Sequence, residues 1–145
     1  MFCPGRCIIF PERNVPDKDE IMSKTILMAG AVFLALAVLT GAFGAHALKD
    51  RLTAGMMQVY KTGVEYHFYH ALGLLLVGVL SVQYPSSWIN WSAGCLMAGL
   101  VLFSGSLYAM ALTGIRVLGA VTPLGGLSFV AGWILLFVAI LKSVK

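Results

Sequence analysis

ILMAGAVFLALAVLTGAFGAHAL, residues Ile26 to Leu48, runs for 23 residues without a formal charge. As an α-helix it is about 34 Å long, enough to cross the ~30 Å hydrocarbon core of a bilayer. The core of a signal peptide is only about 7 to 15 residues long. Ala45-His46-Ala47 looks like a cleavage site, but at the end of so long a run it reads as part of a retained helix. Three more apolar runs follow, from about Gly63 to Val82, Trp88 to Leu112 and Val117 to Leu141. The pattern predicts an all-α polytopic integral membrane protein, with four transmembrane helices over about 26–48, 63–82, 88–112 and 117–141 in an up-down antiparallel bundle.

Composition points the same way. The chain has 145 residues, 59% hydrophobic and only 11% charged, and a soluble domain of this size cannot bury so much apolar surface. The net charge of +4 does not suggest nucleic acid, because the basic residues stand singly at the ends of apolar runs, as headgroup anchors do. The expected surroundings are a lipid bilayer, with a second copy of the chain or another membrane protein as possible partners. Cys3 and Cys7 cannot complete a four-ligand zinc site, and Cys95 lies in an apolar run as a small hydrophobe.

Residues 1–22 hold three of the five prolines and four of the six acids and read as a disordered tail. Met22 is a plausible true start, with the residues before it coming from an upstream codon. Thr53 is placed to cap a short interfacial turn from Ala54 to Tyr60. Tyr84-Pro85-Ser86-Ser87-Trp88 is an interfacial break that makes the second and third spans antiparallel neighbours. The fourth helix either kinks at Pro123 or begins there, with Thr122 as its N-cap. Lys and Arg counts favour cytoplasmic termini for the full chain, and the preference vanishes for a start at Met22.

All three histidines lie between Gly41 and His70, and Glu65 is the only acid after Asp50. His46 ends the first helix, and Glu65 and His70 open the second, which returns antiparallel, so the three can meet at one depth. Imidazole and carboxylate within a membrane are costly and face the bundle interior. Glu65 and His70 are about 140° apart on a helix, which disfavours their sharing one ion, whereas His67 and His70 share a face. The simplest reading is structural: the three form an intramembrane polar cluster that ties the first two helices together. A proton or ion pathway comes second and a bound metal or haem last, so no cofactor is expected. His67, Tyr66, Ser104, Ser106 and Thr122 are accessory polar positions, while Gly41, Gly44, Gly105, Gly125 and Gly126 allow close helix packing. Ala37, Gly41 and Ala45 repeat every four residues as a flat face.

Four blocks carry a resemblance. Gly41-Ala-Phe-Gly-Ala-His46, Thr62-Gly-x-Glu65-Tyr66-x-x-x-His70, Leu102-Phe-Ser-Gly-Ser-Leu-Tyr108 and Val121-Thr-Pro-x-Gly-Gly126, followed by Gly132-Trp133, resemble the YgdD-type family of small bacterial inner-membrane proteins. The similarity covers about Lys24 to Leu141, and His67 falls outside the motif. It implies a multi-pass inner-membrane protein of about four helices, starting near Met22, and it supplies no reaction, substrate or partner.

No nucleophile paired with a base and no phosphate-binding glycine loop stands outside the apolar runs, which disfavours most enzyme chemistry. The expected function is that of a non-enzymatic structural or helper component. The alternatives are a small transporter or channel using Glu65, His70 and His46, and a metal- or haem-binding membrane redox protein.

Overall fold

A computed structural model describes residues 17–143. The tail before Asp17, including Cys3 and Cys7, lies outside the described residues, as does Lys145. Within them four helical stretches are long and apolar enough to cross a membrane, Lys18–Leu48, Ala54–Gln83, Ser87–Thr113 and Arg116–Ser143. Among the described residues there is no strand. The all-α expectation holds, and the boundaries differ in ways that local chemistry explains.

The first helix, α1 (Lys18–Phe43), begins eight residues before the uncharged run, so residues 18–22 are helical and not part of a tail. Asp17 stops the chain from entering as coil: its side chain accepts the Lys18 N–H at 2.7 Å, and Asp19 and Glu20 place negative charge in the first turn, where the helix dipole favours it. Glu20 and Lys24, four apart, close an exposed ion pair at 2.6 Å. A π-helical turn, Gly44–Leu48, finishes the span.

The second helix, α2 (Ala54–Gln83), absorbs the expected interfacial turn into one continuous element. Thr53 caps it by accepting from Met56 N–H at 3.3 Å. At 30 residues it is about 45 Å long, well beyond a ~30 Å hydrocarbon core. Its first turns, up to Lys61, therefore stand in the headgroup layer while remaining helical.

The third span consists of α3 (Ser87–Gly99), a π-helical segment Leu100–Ser104, and α4 (Gly105–Thr113). Gly114, at φ 73°, closes it in a left-handed conformation that favours glycine. A 3-10 turn, Arg116–Ala120, precedes α5 (Thr122–Ser143). Pro123 sits in the first turn of α5, where its missing N–H costs nothing. The fourth helix thus begins at the proline, and Thr122 does not act as a side-chain N-cap: its hydroxyl lies 2.9 Å from Ser106 Oγ instead.

Neighbours in sequence are neighbours in space. α1 packs along α2, the third span packs along both α2 and α5, and one core runs through the middle, with Ile26, Leu74, Val77, Leu96, Phe129 and Leu136 at its centre. A smaller core of Leu48, Tyr60 and Ala111 closes the end bearing the first loop. Large apolar side chains such as Met28, Leu39, Leu72, Val117 and Phe137 cover the exterior, as lipid contact requires.

Lipid gives helices no hydrophobic reason to associate, so close approach has to supply the attraction. α1 and α2 achieve it reciprocally. Leu75 fills the space over Gly30, where a Cβ would fall 2.7 Å from Leu75 Cδ2, and Leu27 fills the space over Gly78 at 2.8 Å. The third span and α5 come closer still: Gly125 lies against the Phe103 backbone, and Gly99 lies against the Phe129 ring. Ser92 donates to the Gly132 carbonyl at 2.8 Å and Ser128 to the Cys95 carbonyl at 2.7 Å across the same interface.

Candidate functional site

The polar residues nearest the first loop divide into two groups. Thr40, Tyr60, His67 and Tyr108 form a knot joining three spans, with Tyr60 and His67 buried and Thr40 and Tyr108 half-buried. Tyr60 donates its hydroxyl to the Thr40 carbonyl at 2.7 Å. Thr40 Oγ1 donates back to the Leu36 carbonyl at 2.9 Å and lies 3.3 Å from the Tyr108 hydroxyl. That hydroxyl in turn lies 3.1 Å from His67 Nδ1, the donor being set by the imidazole tautomer. The phenol rings of Tyr60 and Tyr108 are tilted together at 5.1 Å, and the Phe33 ring meets the His67 ring edge-on at 5.9 Å. His67 Nε2 is buried on the Phe33 backbone side without a hydrogen bond of good geometry.

The knot forms because each member sits where its helix faces a neighbour. Gly44 has no side chain, and the Tyr60 ring occupies the place: a Cβ there would fall 2.5 Å from Tyr60 Cε1. Gly63 does the same for Tyr108, whose Cε1 would be 3.0 Å from such an atom. Two glycines therefore admit two tyrosines between helices, and the hydroxyls meet the Thr40 carbonyl, Thr40 Oγ1 and His67 Nδ1.

His70 lies one turn further along α2. Its Nδ1 sits 2.8 Å from the Tyr66 carbonyl, and its ring stacks on Phe129 with centroids 3.4 Å apart. Tyr66 stacks in turn on Phe103 at 4.5 Å, and Trp133 covers Gly73. His70 is thus an aromatic-layer residue joining α2 to α5.

His46 and Glu65 do not join it. Both are exposed, and neither forms a hydrogen bond or ion pair with His70 among the described residues. The three do not converge because Glu65 and His70 occupy different sides of α2 and His46 lies on the outer side of the π turn. Among the described residues no three His, Cys, Asp or Glu side chains gather as metal ligands would. His67, outside the family-like motif, holds the knot instead. The fold thus replaces the expected His46, Glu65 and His70 contact with a His67, Tyr108, Thr40 and Tyr60 contact.

The other singled-out positions separate in the same way. Ser106 donates to the Phe103 carbonyl at 2.9 Å as well as meeting Thr122, whereas Ser104 Oγ is buried without a partner. Gly44 and Gly125 are points of closest approach. Gly105 is not, since a Cβ on it meets open space, and Gly41 and Gly126 are at ordinary contact distance. Along the flat face of α1, Ala37 is buried, Gly41 half-buried and Ala45 exposed. Beside the Gly44 and Tyr60 contact lies a cleft of ≈ 450 Å³, lined by Gly41, Gly44 and Lys49 on one side and by Tyr60, Lys61 and Glu65 on the other.

Sequence reasoning missed Thr40, Tyr60 and Tyr108 as polar partners, along with Gly30, Gly63, Gly78 and Gly99 as contact points. A tyrosine inside a span, here four residues before its expected end at Leu112, needs a partner for its hydroxyl wherever its ring is packed between helices. That need was the available signal for Tyr108.

Fold and site together define a four-span helical membrane protein whose buried polar side chains bond mainly to one another and to helix carbonyls. The chain belongs to the family described as protein of unknown function (DUF423), which its residues 40–126 match. It is 47% identical over 121 residues to a UPF0382 membrane protein of Staphylococcus haemolyticus, covering 83% of this chain and 98% of that protein. It is 48% identical over 120 residues to the UPF0382 membrane protein YwdK of Bacillus subtilis, covering 82% and 98%. No solved structure matches the chain.

Proposed function

We propose that this protein is a non-enzymatic structural or helper component of a bacterial inner membrane, a multi-pass subunit that associates with its own copies or with another membrane protein. We take its family to be the same as the YgdD-type one. The observation that carries the reading is the use to which the polar groups are put. His67 and Tyr108 serve Thr40 on the neighbouring helix, and His70 serves a carbonyl and an aromatic stack. Groups held in this way stabilise helix contacts, and among the described residues no three His, Cys, Asp or Glu side chains converge. α1 touches chiefly α2, so its far side, with Met28, Val32 and Leu39 exposed, is free for lipid or a partner helix.

Proteoliposomes test this against the transport alternative, which draws on two buried polar atoms without partners, His67 Nε2 and Ser104 Oγ. The expected result is proton and cation flux no greater than in empty vesicles, together with photo-crosslinks from Met28 or Val32 to a second copy or one recurring membrane protein. A flux that disappears in a folded His67→Gln or Glu65→Gln variant would make the protein a carrier and overturn the reading.

A further inference from the structure

We infer that the cleft between α1 and α2 at the first loop is a binding site for one glycerophospholipid with a primary-amine headgroup. Three features of the cleft lead there. Its base is apolar and narrow, made by Gly41, Gly44 and the Tyr60 ring. Its rim carries Lys49, from the loop after the first span, and Lys61, from α2, with Glu65 one turn below Lys61. Lys61 and Glu65 have the four-residue spacing at which helical ion pairs form, yet they do not close one, while Glu20 and Lys24 at the same spacing do. Both side chains are exposed and line the cleft, so a ligand seated there meets both charges.

Depth selects the ligand. Lys49 follows the last residue of the first span, and Lys61 precedes the apolar part of α2, so the rim lies at headgroup level and the base lies in the hydrocarbon edge. A soluble anion would suit the lysines and leave the apolar base unfilled. A phospholipid satisfies both, with its phosphate at the two ammonium groups and the start of an acyl chain along Gly41, Val64 and the Tyr60 ring. Glu65 adds a selective element. A headgroup ammonium can donate hydrogen bonds to the carboxylate, which a glycerol headgroup matches without charge and a quaternary amine cannot match by donation. The π-helical turn at Gly44–Leu48 shapes one wall, and such turns recur at functional sites.

The test is native mass spectrometry of the full chain, delipidated in mild detergent and offered equal amounts of phosphatidylethanolamine, phosphatidylglycerol and phosphatidylcholine of the same acyl chains. The expected result is one retained lipid per chain, with phosphatidylethanolamine preferred about five-fold. Glu65→Gln removes that preference while lipid is still bound, and Lys49→Gln with Lys61→Gln lowers retention of all three by about thirty-fold, as the loss of two headgroup-level cations implies. All of these side chains are exposed, and unchanged helical circular dichroism shows that the variants are folded. Equal retention of the three lipids by the wild type, or a preference that survives Glu65→Gln, would overturn the assignment. Displacement of the lipid by soluble phosphoethanolamine at equal concentration would also overturn it, by showing that the apolar base contributes nothing.

Discussion

The ring of Tyr60 occupies the space that a side chain on Gly44 would need, and its hydroxyl is anchored one turn earlier on the Thr40 carbonyl at 2.7 Å. Ring and hydroxyl therefore fix α2 against the end of α1 from two directions. Gly44→Ala should destabilise the folded protein by about 2 kcal/mol through overpacking, because the anchored ring cannot swing away. Tyr60→Phe should cost about 1 kcal/mol through the lost hydrogen bond. Reversible unfolding in mixed detergent micelles measures both. In a Tyr60→Ala background Gly44→Ala should become nearly neutral, and a full penalty there would show that the ring is not what the new methyl meets.

Gly125 and Gly105 make a sharper contrast. A methyl on Gly125 would meet the backbone of Phe103, which has no rotamer to change, whereas a methyl on Gly105 meets nothing within 4 Å. Gly125→Ala should cost about 3 kcal/mol or prevent folding. Gly105→Ala should be neutral, or stabilising by up to about 1 kcal/mol through helix propensity. Thermal melts followed by helical circular dichroism distinguish the two outcomes, and equal effects would contradict the helix approach described for α5.

The four spans were legible because composition forces them: apolar runs of this length, three of them free of formal charge and the second carrying only Glu65, have few alternatives to a membrane helix. Their starts were not. The segment before Ile26 carries charges and follows Pro16, which suggests coil, but charge does not prevent a helix outside the hydrocarbon, and Asp17 is a good cap. The same reasoning explains why α2 runs on through Lys61. At the site, the sequence identified the histidines but not their partners, since Tyr108 lies 41 residues from His67 and Thr40 lies 68 from Tyr108. Only the packing of three helices brings them together. The roughly 140° between Glu65 and His70 was visible in their spacing, and that angle leaves Glu65 exposed while His70 is buried. Gly105 shows the limit of reading glycines by motif, because a flat helix face packs closely only where a neighbour passes.

The early start of α1 makes its own prediction. Asp17→Ala should remove the cap, cost about 1 kcal/mol of local stability, and speed amide hydrogen exchange over residues 21–24, the first amides that bond back into the helix. Glu20→Gln, which breaks an exposed ion pair and removes one first-turn charge, should cost no more than about 1 kcal/mol. Fast exchange over 21–24 already in the wild type would place the helix start nearer Ile26.

His67 and Tyr108 join the second span to the third through one hydrogen bond, and a double-mutant cycle on the pair measures how far it holds the helices together. Free energies of unfolding would be measured for the wild type, His67→Leu, Tyr108→Phe and the double variant in mixed micelles. Tyr108→Phe should cost about 1 kcal/mol, since it removes the hydroxyl that links Thr40 and His67. The double variant should lose at least about 0.6 kcal/mol less than the sum of the singles, the coupling typical of interhelical hydrogen bonds in membranes. Strictly additive losses, or wild-type stability in both single variants, would contradict the account.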